Sequence, residues 1–308
     1  MKLEGIHHVT AITGDAPQNV RFYAGTLGLR LVKRSVNQDD PTVYHLFYAD
    51  EEGGAGSDIT FFEYPGASRG RAGAGMVHRI TWRVASEGSL DFWEQRLASH
   101  GVATTRGDRY LRFDDPEGLS LELAVVDTSD QPLRAEHPEI PQEHALMGFD
   151  GVRAYTADPV ASSDFLGSTL NFTPEDESSW TSRGDLRGSF YIYDEAPPER
   201  GLSGGGTVHH VAWASPMDEH EVWRERLVAA GADVTPIIDR YYFRSIYFRE
   251  PSGVLFEIAT LGPGFDVDEP LEELGKNLAL PPNYEHLRDK LEKVLTPLPD
   301  PRAEALAR

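Results

Sequence analysis

Residues 206–260 read GTVHHVAWASPMDEHEVWRERLVAAGADVTPIIDRYYFRSIYFREPSGVLFEIAT. Both ends of this stretch, Thr207–Trp213 and Tyr247–Ile258, alternate β-branched and aromatic residues between short turn signals, which predicts strands. Between them, Glu219–Gly231 carries Val222, Trp223, Leu227, Val228 and Ala230 at helical spacing and stops at a glycine, which predicts a helix. The unit is therefore a strand, a helix and a run of strands. Pro251-Ser252-Gly253 suits a three-residue hairpin loop with its glycine in the left-handed region. That register pairs Glu250 with Val254 and sets Tyr247 directly opposite Glu257, on one face of the sheet. A carboxylate buried on a sheet face is costly unless it is paired or bound to a metal. His210, on the first strand of the unit, is the nearest candidate co-ligand.

The same unit occurs a second time, as Met76–Trp82 (MVHRITW), Leu90–Gly101 (LDFWEQRLASHG) and Tyr110–Leu123 (YLRFDDPEGLSLEL). Alignment sets Arg79 against His210, Arg112 against Tyr247 and Glu122 against Glu257. A copy holding two arginines and a glutamate can neutralise its own carboxylate but cannot bind a divalent cation, so His210 and Tyr247 read as specialisations of the later copy. Weaker copies open with Gly5–Ile12 (GIHHVTAI) followed by Asn19–Leu29, and with Gly151–Tyr155 (GVRAY) followed by Ser163–Phe172. Counted from Gly5 against Gly151, His8 falls against Ala154. Four modules are thus expected, at roughly 3–64, 76–126, 148–194 and 207–260. His8, His210 and Glu257, from the first and fourth, make a set of two imidazoles and one carboxylate.

The whole chain sets bounds on this reading. Its 308 residues suffice for two domains with real cores. The Pro- and charge-rich stretch Val126–Leu146 reads as the linker between halves. It gives an N-terminal two-module domain over 1–130, a C-terminal one over 146–262 and a tail over 263–308, within which Pro270–Leu295 reads as two helical pieces broken at Leu280-Pro281-Pro282. With 29 Lys+Arg against 50 Asp+Glu, the formal charge is -21. That argues against nucleic acid and anionic membranes as partners, both of which need a positive footprint. The absence of cysteine excludes disulfides, thiolate catalysis and Cys-based zinc sites. No signal peptide or apolar run of membrane length is visible, so a cytoplasmic protein is expected.

Four βαβββ modules with this ligand arrangement resemble the vicinal-oxygen-chelate superfamily, an α+β fold in which paired modules curl their sheets into cups around a metal. GIHHVTAITGDAPQNVRFYAGTLGLRLVKRSVNQDDPTVYHLFYAD, the VHH strand, DRYYFRSIYFREPSGVLFEIAT and the tail GPGFDVDEPLEELGKNLALPP resemble, within it, the ring-cleaving dioxygenases that act on hydroquinones. The resemblance implies His8, His210 and Glu257 as ligands of Fe(II), with Mn(II) as the alternative, and substrate-handling roles for His7, His209, Arg240 and Tyr247. It also implies a small aromatic diol and dioxygen as the reactants; the oligomeric state is left open, a homo-oligomer included. A facial set of two His and one carboxylate leaves one side of the metal open, which oxygen chemistry requires. Strict strand alternation, however, turns His7 away from His8 and His209 away from His210.

Two other readings compete. A glyoxalase-type lyase or isomerase commonly takes a fourth, carboxylate ligand from the last strand of the module that supplies the first His; aligning Gly56 with Gly253 puts Thr60 there. A metal-free protein that sequesters an aromatic compound would have no need of an intact ligand set. His45, His78, His100, His137, His144, His220 and His286 carry no spacing signal.

Overall fold

The structure is a computed structural model and describes residues 1–307. Each of the four modules contributes four strands. The first holds β1 (Ile6–Thr13), β2 (Arg30–Asn37), β3 (Asp40–Ala49) and β4 (Asp58–Glu63), and the second β5 (Met76–Val84), β6 (Thr104–Arg106), β7 (Tyr110–Asp114) and β8 (Ser120–Val125). The third holds β9 (Phe149–Thr156), β10 (Thr173–Pro174), β11 (Ser179–Arg183) and β12 (Gly188–Glu195), and the fourth β13 (Val208–Ser215), β14 (Ile238–Asp239), β15 (Phe243–Arg249) and β16 (Leu255–Pro263). The helix after β1 starts at Ala16, where the Asp15 side chain accepts from the Gln18 N–H, and it widens into a π-helical turn over Arg21–Thr26. In the helix His220–Ala229, Trp223 and Leu227 are fully buried, but Val222 and Val228 are 48% and 49% exposed. Only part of the apolar periodicity there faces the core. No helix among the described residues is long and apolar enough to cross a membrane.

The strands form two eight-stranded sheets of a mixed α+β fold, ordered β14-β15-β16-β13-β1-β4-β3-β2 and β10-β11-β12-β9-β5-β8-β7-β6. Each sheet takes one module from either side of the 126–146 linker. The first module shares a sheet with the fourth and the second with the third, so the division into 1–130 and 146–262 is not followed by the sheets. The physical reason is the antiparallel pairing of β1 with β13 and of β5 with β9, which joins modules far apart in sequence. The first sheet curls until its ends meet: the Gln38 side chain, in the β2–β3 turn, donates to the carbonyl oxygen of Arg240, beyond β14.

The local pseudo-symmetry is kept in the strand register. β1 and β13 meet at Val9 and Val211, so a two-fold axis there superposes His8 on His210 and Thr10 on Ala212. β4 and β16 then follow in step, with Thr60 beside Thr10 and Glu257 beside Ala212. In the other sheet Ile80 meets Val152, which places Arg79 at the position of His210 and Gly151 at that of His8. The counterpart of His8 is therefore Gly151, not Ala154. The glycine that matches Gly5 (φ 76) is Gly148 (φ 88), three residues earlier than the one counted from sequence. A Cβ on Gly151 would lie 2.4 Å from the Phe190 ring, so phenylalanine fills the place of the missing imidazole.

The tail is less helical than expected before Pro281: it makes short 3-10 turns at Phe265–Val267 and Leu271–Glu273, then a 3-10 turn at Pro282–Leu287 running into the helix Arg288–Val294. It is fastened to β2. Lys33, wholly buried, contacts Asp268 at 2.8 Å and Glu269 at 2.5 Å, and Tyr242 also donates to Asp268 at 3.1 Å. Removing one member of a buried ion network strands the others. Lys33→Ala is therefore expected to cost about 3–5 kcal/mol and to open the segment after Gly264 to proteolysis. An unchanged melting temperature and cleavage pattern would contradict this role.

Candidate metal centre

The hairpin register read from Pro251-Ser252-Gly253 is the one observed. Gly253 has φ 99, the Glu250 N–H donates to the Val254 carbonyl at 3.1 Å, and Tyr247 pairs with Glu257. Glu257 on β16, His210 on β13 and His8 on β1 thus occupy three adjacent strands and the same face. All three are buried, and among the described residues they form a cluster able to hold a metal ion. His8 Nε2 lies 3.3 Å from His210 Nε2 and 3.2 Å from Glu257 Oε2, and His210 Nε2 lies 2.9 Å from Glu257 Oε2. Ligand bonds of about 2.1 Å set at right angles place donor atoms about 3.0 Å apart, which is the size of this triangle.

The electrostatics favour positive charge at the same point. Burial pushes the Glu257 carboxyl up, but the two imidazoles outweigh it and hold the group well below its usual range. Burial works against charge on His8, and Glu257 outweighs that too, raising the imidazole; for His210 burial prevails and lowers it. Glu257 Oε1 accepts from Ser245 Oγ at 2.5 Å, whereas Oε2 has no hydrogen-bond donor aligned on it. A buried carboxylate oxygen left without a donor and aimed between two imidazole nitrogens fits a metal ligand.

Neither His7 nor His209 reaches into the cup as a free acid or base. β1 is irregular against β13 at Ile6/His8 and at Thr10/Ala11, and at these bulges each extra imidazole turns sideways onto its neighbour. His7 Nε2 lies 3.1 Å from the Thr260 carbonyl oxygen, which only accepts, so this nitrogen carries the proton. His7 Nδ1 is then the acceptor for His8 Nδ1–H across 3.0 Å, which leaves His8 Nε2, the nitrogen facing Glu257, as the one that can take either a proton or a metal. Burial, with the neighbouring His8, lowers the His7 pKa to about 3 and keeps it neutral. His209 Nδ1 stands 2.8 Å from His210 Nδ1, so the second ligand also has an imidazole at its far nitrogen, although His209 is exposed and no carbonyl oxygen sets its tautomer as Thr260 does for His7. Such partners orient ligands and fix their tautomers.

A cavity of about 450 Å³, its mouth included, opens from the ligand atoms. Phe47, Phe62, Phe243, Tyr242 and Tyr247 supply its aromatic walls, and Arg240 sits at the rim. The Tyr247 ring packs edge-on to His210 at 5.6 Å, and the Arg240 guanidinium lies 5.6 Å from the Tyr247 ring centre while pairing with Asp39 at 3.1 Å. Burial, and then the Glu257 charge, push the Tyr247 phenol up, so it stays protonated. Thr60, at the two-fold equivalent of Glu257, bonds Thr10 and His45 instead of offering a fourth carboxylate.

Ser245, His45 and Asp58 join the site only through the pairing of strands. Ser245 and His45 share faces with named site residues and follow from strand parity once the sheet order is known. Asp58 pairs with His8 in the parallel β1–β4 register, is buried, and has neither oxygen hydrogen-bonded; burial lifts its pKa to about 7. The second sheet lacks all of this. There Arg112 Nε contacts Glu122 at 2.5 Å and Arg79 approaches it at 3.9 Å, the salt bridge expected of the vacant copy.

The model of the Glyoxalase/Bleomycin resistance protein/Dioxygenase superfamily matches residues 5–123 and 148–258. A Bacillus subtilis protein named as a ring-cleaving dioxygenase, MhqO, is 41% identical over 305 residues, covering 96% of this chain and 97% of its own. The chlorohydroquinone/hydroquinone 1,2-dioxygenase of Sphingobium indicum is 31% identical over 311 residues, covering 96% of each chain. A crystal structure described as a dioxygenase from Bacillus subtilis superposes with a TM-score of 0.90 at 40% identity, covering 97% of this chain and 98% of its own. Glyoxalase I of Zea mays shares the fold, with a TM-score of 0.57 at 15% identity over 83% of this chain and 92% of its own.

Losing an orienting hydrogen bond typically lowers metal affinity about 10–100-fold. His7→Leu and Ser245→Ala are each expected to fall in that range in a competition titration with a chelator, and wild-type affinity in both would contradict their part in holding the ligands. In the metal-free protein, Asp58 destabilises the fold once ionised. Its folded pKa lies above the unfolded one, so the penalty is absent below about pH 4, grows towards pH 7 and is full above it. Asp58→Asn should therefore gain most over the wild type at pH 8, and the gap in urea midpoint should narrow as the pH falls to 5. A gap independent of pH would refute it.

Proposed function

The chain belongs to the Glyoxalase/Bleomycin resistance protein/Dioxygenase superfamily, and from that membership and the site geometry we propose that it is a ring-cleaving dioxygenase of the extradiol type. It acts on a hydroquinone-like aromatic diol, with Fe(II) as its metal. The observation that carries the proposal is the triangle of His8 Nε2, His210 Nε2 and Glu257 Oε2, with edges of 2.9–3.3 Å, at the floor of an aromatic-walled cup. The names of the relatives, which include a hydroquinone dioxygenase, support the choice of substrate.

Each group has a part in this reading. His8, His210 and Glu257 would hold the metal, with the cavity opening beside them. Fe(II), when bound, supplies the path by which electrons of the diol reach dioxygen. Phe47, Phe62 and Phe243 form a slot for one aromatic ring and keep water out. Tyr247, protonated and beside the ligands, donates a hydrogen bond to a substrate oxygen as negative charge builds on it. Arg240 answers the same charge from the rim, held in place by Asp39. His7 fixes the tautomer of its ligand neighbour rather than exchanging protons with substrate, and His209 braces His210 from the same side. Thr60 in place of a fourth carboxylate weighs against a glyoxalase-type reaction.

Oxygen uptake by anaerobically Fe(II)-loaded protein tests this directly. Hydroquinone and chlorohydroquinone should each consume dioxygen and yield a ring-opened product, and methylglyoxal with glutathione should not turn over. Turnover of the hemithioacetal with no oxygen uptake from any diol would overturn the assignment. Tyr247→Phe should retain its iron and lose about 100-fold in kcat; undiminished turnover would remove Tyr247 from the reaction.

A further inference from the structure

Most polar side chains around the cup are committed to partners. Tyr242 donates to Asp268, Arg240 pairs with Asp39, and Gln38 donates to the Arg240 carbonyl. His45, on β3, differs. Its Nε2 lies 2.9 Å from Thr60 Oγ1, which in turn lies 2.8 Å from Thr10 Oγ1, so one side of the imidazole is tied to the floor of the sheet. Phe47 and Phe62 grip the ring at centroid separations of 3.9 and 4.4 Å. Its Nδ1 makes no hydrogen bond among the described residues, and the ring lines the same cavity as His8 and His210. Burial, and then the charges of His8 and His210, hold it well below its ordinary pKa, so it is a neutral donor and acceptor.

Its position gives that nitrogen a use. β3 stands two strands from β1, about 10 Å across the sheet, and the register sets His45 level with Phe62 and Ile12 rather than with His8, so His45 lines the cavity from another wall than the ligand atoms. We infer that His45 binds the hydroxyl group that the metal does not take, and so selects diols whose two hydroxyls lie at opposite ends of the ring. The inference rests on the proposed ring-cleaving function. A para-diol anchored at the ligand end sends its second hydroxyl to the far wall. An ortho-diol keeps both oxygens at the metal end and turns bare carbon towards His45 Nδ1. Because a hydroxyl both donates and accepts, it pairs with either tautomer of a neutral imidazole. A hydroxyl buried without such a partner is penalised.

The test is anaerobic calorimetric binding of hydroquinone, catechol and phenol to the Fe(II)-loaded protein, which reads recognition without turnover. Wild type should bind hydroquinone about tenfold more tightly than phenol. His45→Phe keeps the ring packing but offers no nitrogen, and it should erase that ratio while retaining its iron and its affinity for phenol. The amide variants decide the matter should the phenylalanine variant not fold. His45→Asn places its amide near the Nδ1 position and should keep most of the preference; His45→Gln reaches the Thr60 side and should lose it. A ratio unchanged in His45→Phe, or equal in the Asn and Gln variants, overturns the role of His45. A wild type that consumes no oxygen with any diol overturns the dioxygenase reading instead, and the binding ratios separate the two failures.

Discussion

The antiparallel pairing of β1 with β13 is the contact on which the site depends. It joins the first and fourth modules across the full length of the chain, and its register at Val9 and Val211 brings His8 and His210 to symmetric positions on one face. The parallel pairing of β13 with β16 then sets Glu257 in the next strand. No ligand is carried by a flexible loop. The ligand spacing follows from strand spacing and register, so it is as rigid as the sheet itself, the condition under which a facial ligand set holds its open side without induced rearrangement.

A second constraint is the treatment of buried charge. Both sheets place a glutamate at the same symmetric position, and each must be neutralised in a low-dielectric setting. The second sheet does so internally with Arg112 and Arg79, and Phe190 fills the space over Gly151. The first sheet uses Ser245 for one oxygen and leaves the other to two imidazoles whose Nδ1 atoms are tied back to His7 and His209. One fold thus presents a self-compensated copy and a copy whose buried carboxylate is left to two imidazoles, in an arrangement that could hold a metal ion.

Much of this could be read from residues alone, because it depends on short-range rules. Pro251-Ser252-Gly253 dictates a hairpin register, and register dictates that Tyr247 and Glu257 share a face. The repeat supplies an internal comparison, so His210 against Arg79 carries meaning that a single histidine does not. What escaped depends on long-range pairing. The ligand set joins the first and fourth modules, but that they share one continuous sheet is a choice of sheet edge, and the linker composition points to a different division. Sequence sets His8 against Ala154 because Gly151, inside the third copy's first strand, looks like the glycine that precedes it, Gly148. His45 carried no signal because its significance comes from facing the ligands across β4, a relation visible only once the strand order is known. Strand parity alone turns His7 and His209 away from their neighbours; two bulges bring them back, not into the cavity but against the ligands' far nitrogens.

The most direct test of the metal centre is the iron content of the protein after anaerobic loading with Fe(II) and removal of unbound metal. Wild type should retain close to one iron per chain, and His8→Ala, His210→Ala and Glu257→Gln should each retain essentially none while keeping their fold. Wild-type iron content in any of the three would contradict the claim that these residues, brought together by the β1–β13 pairing, form the metal centre.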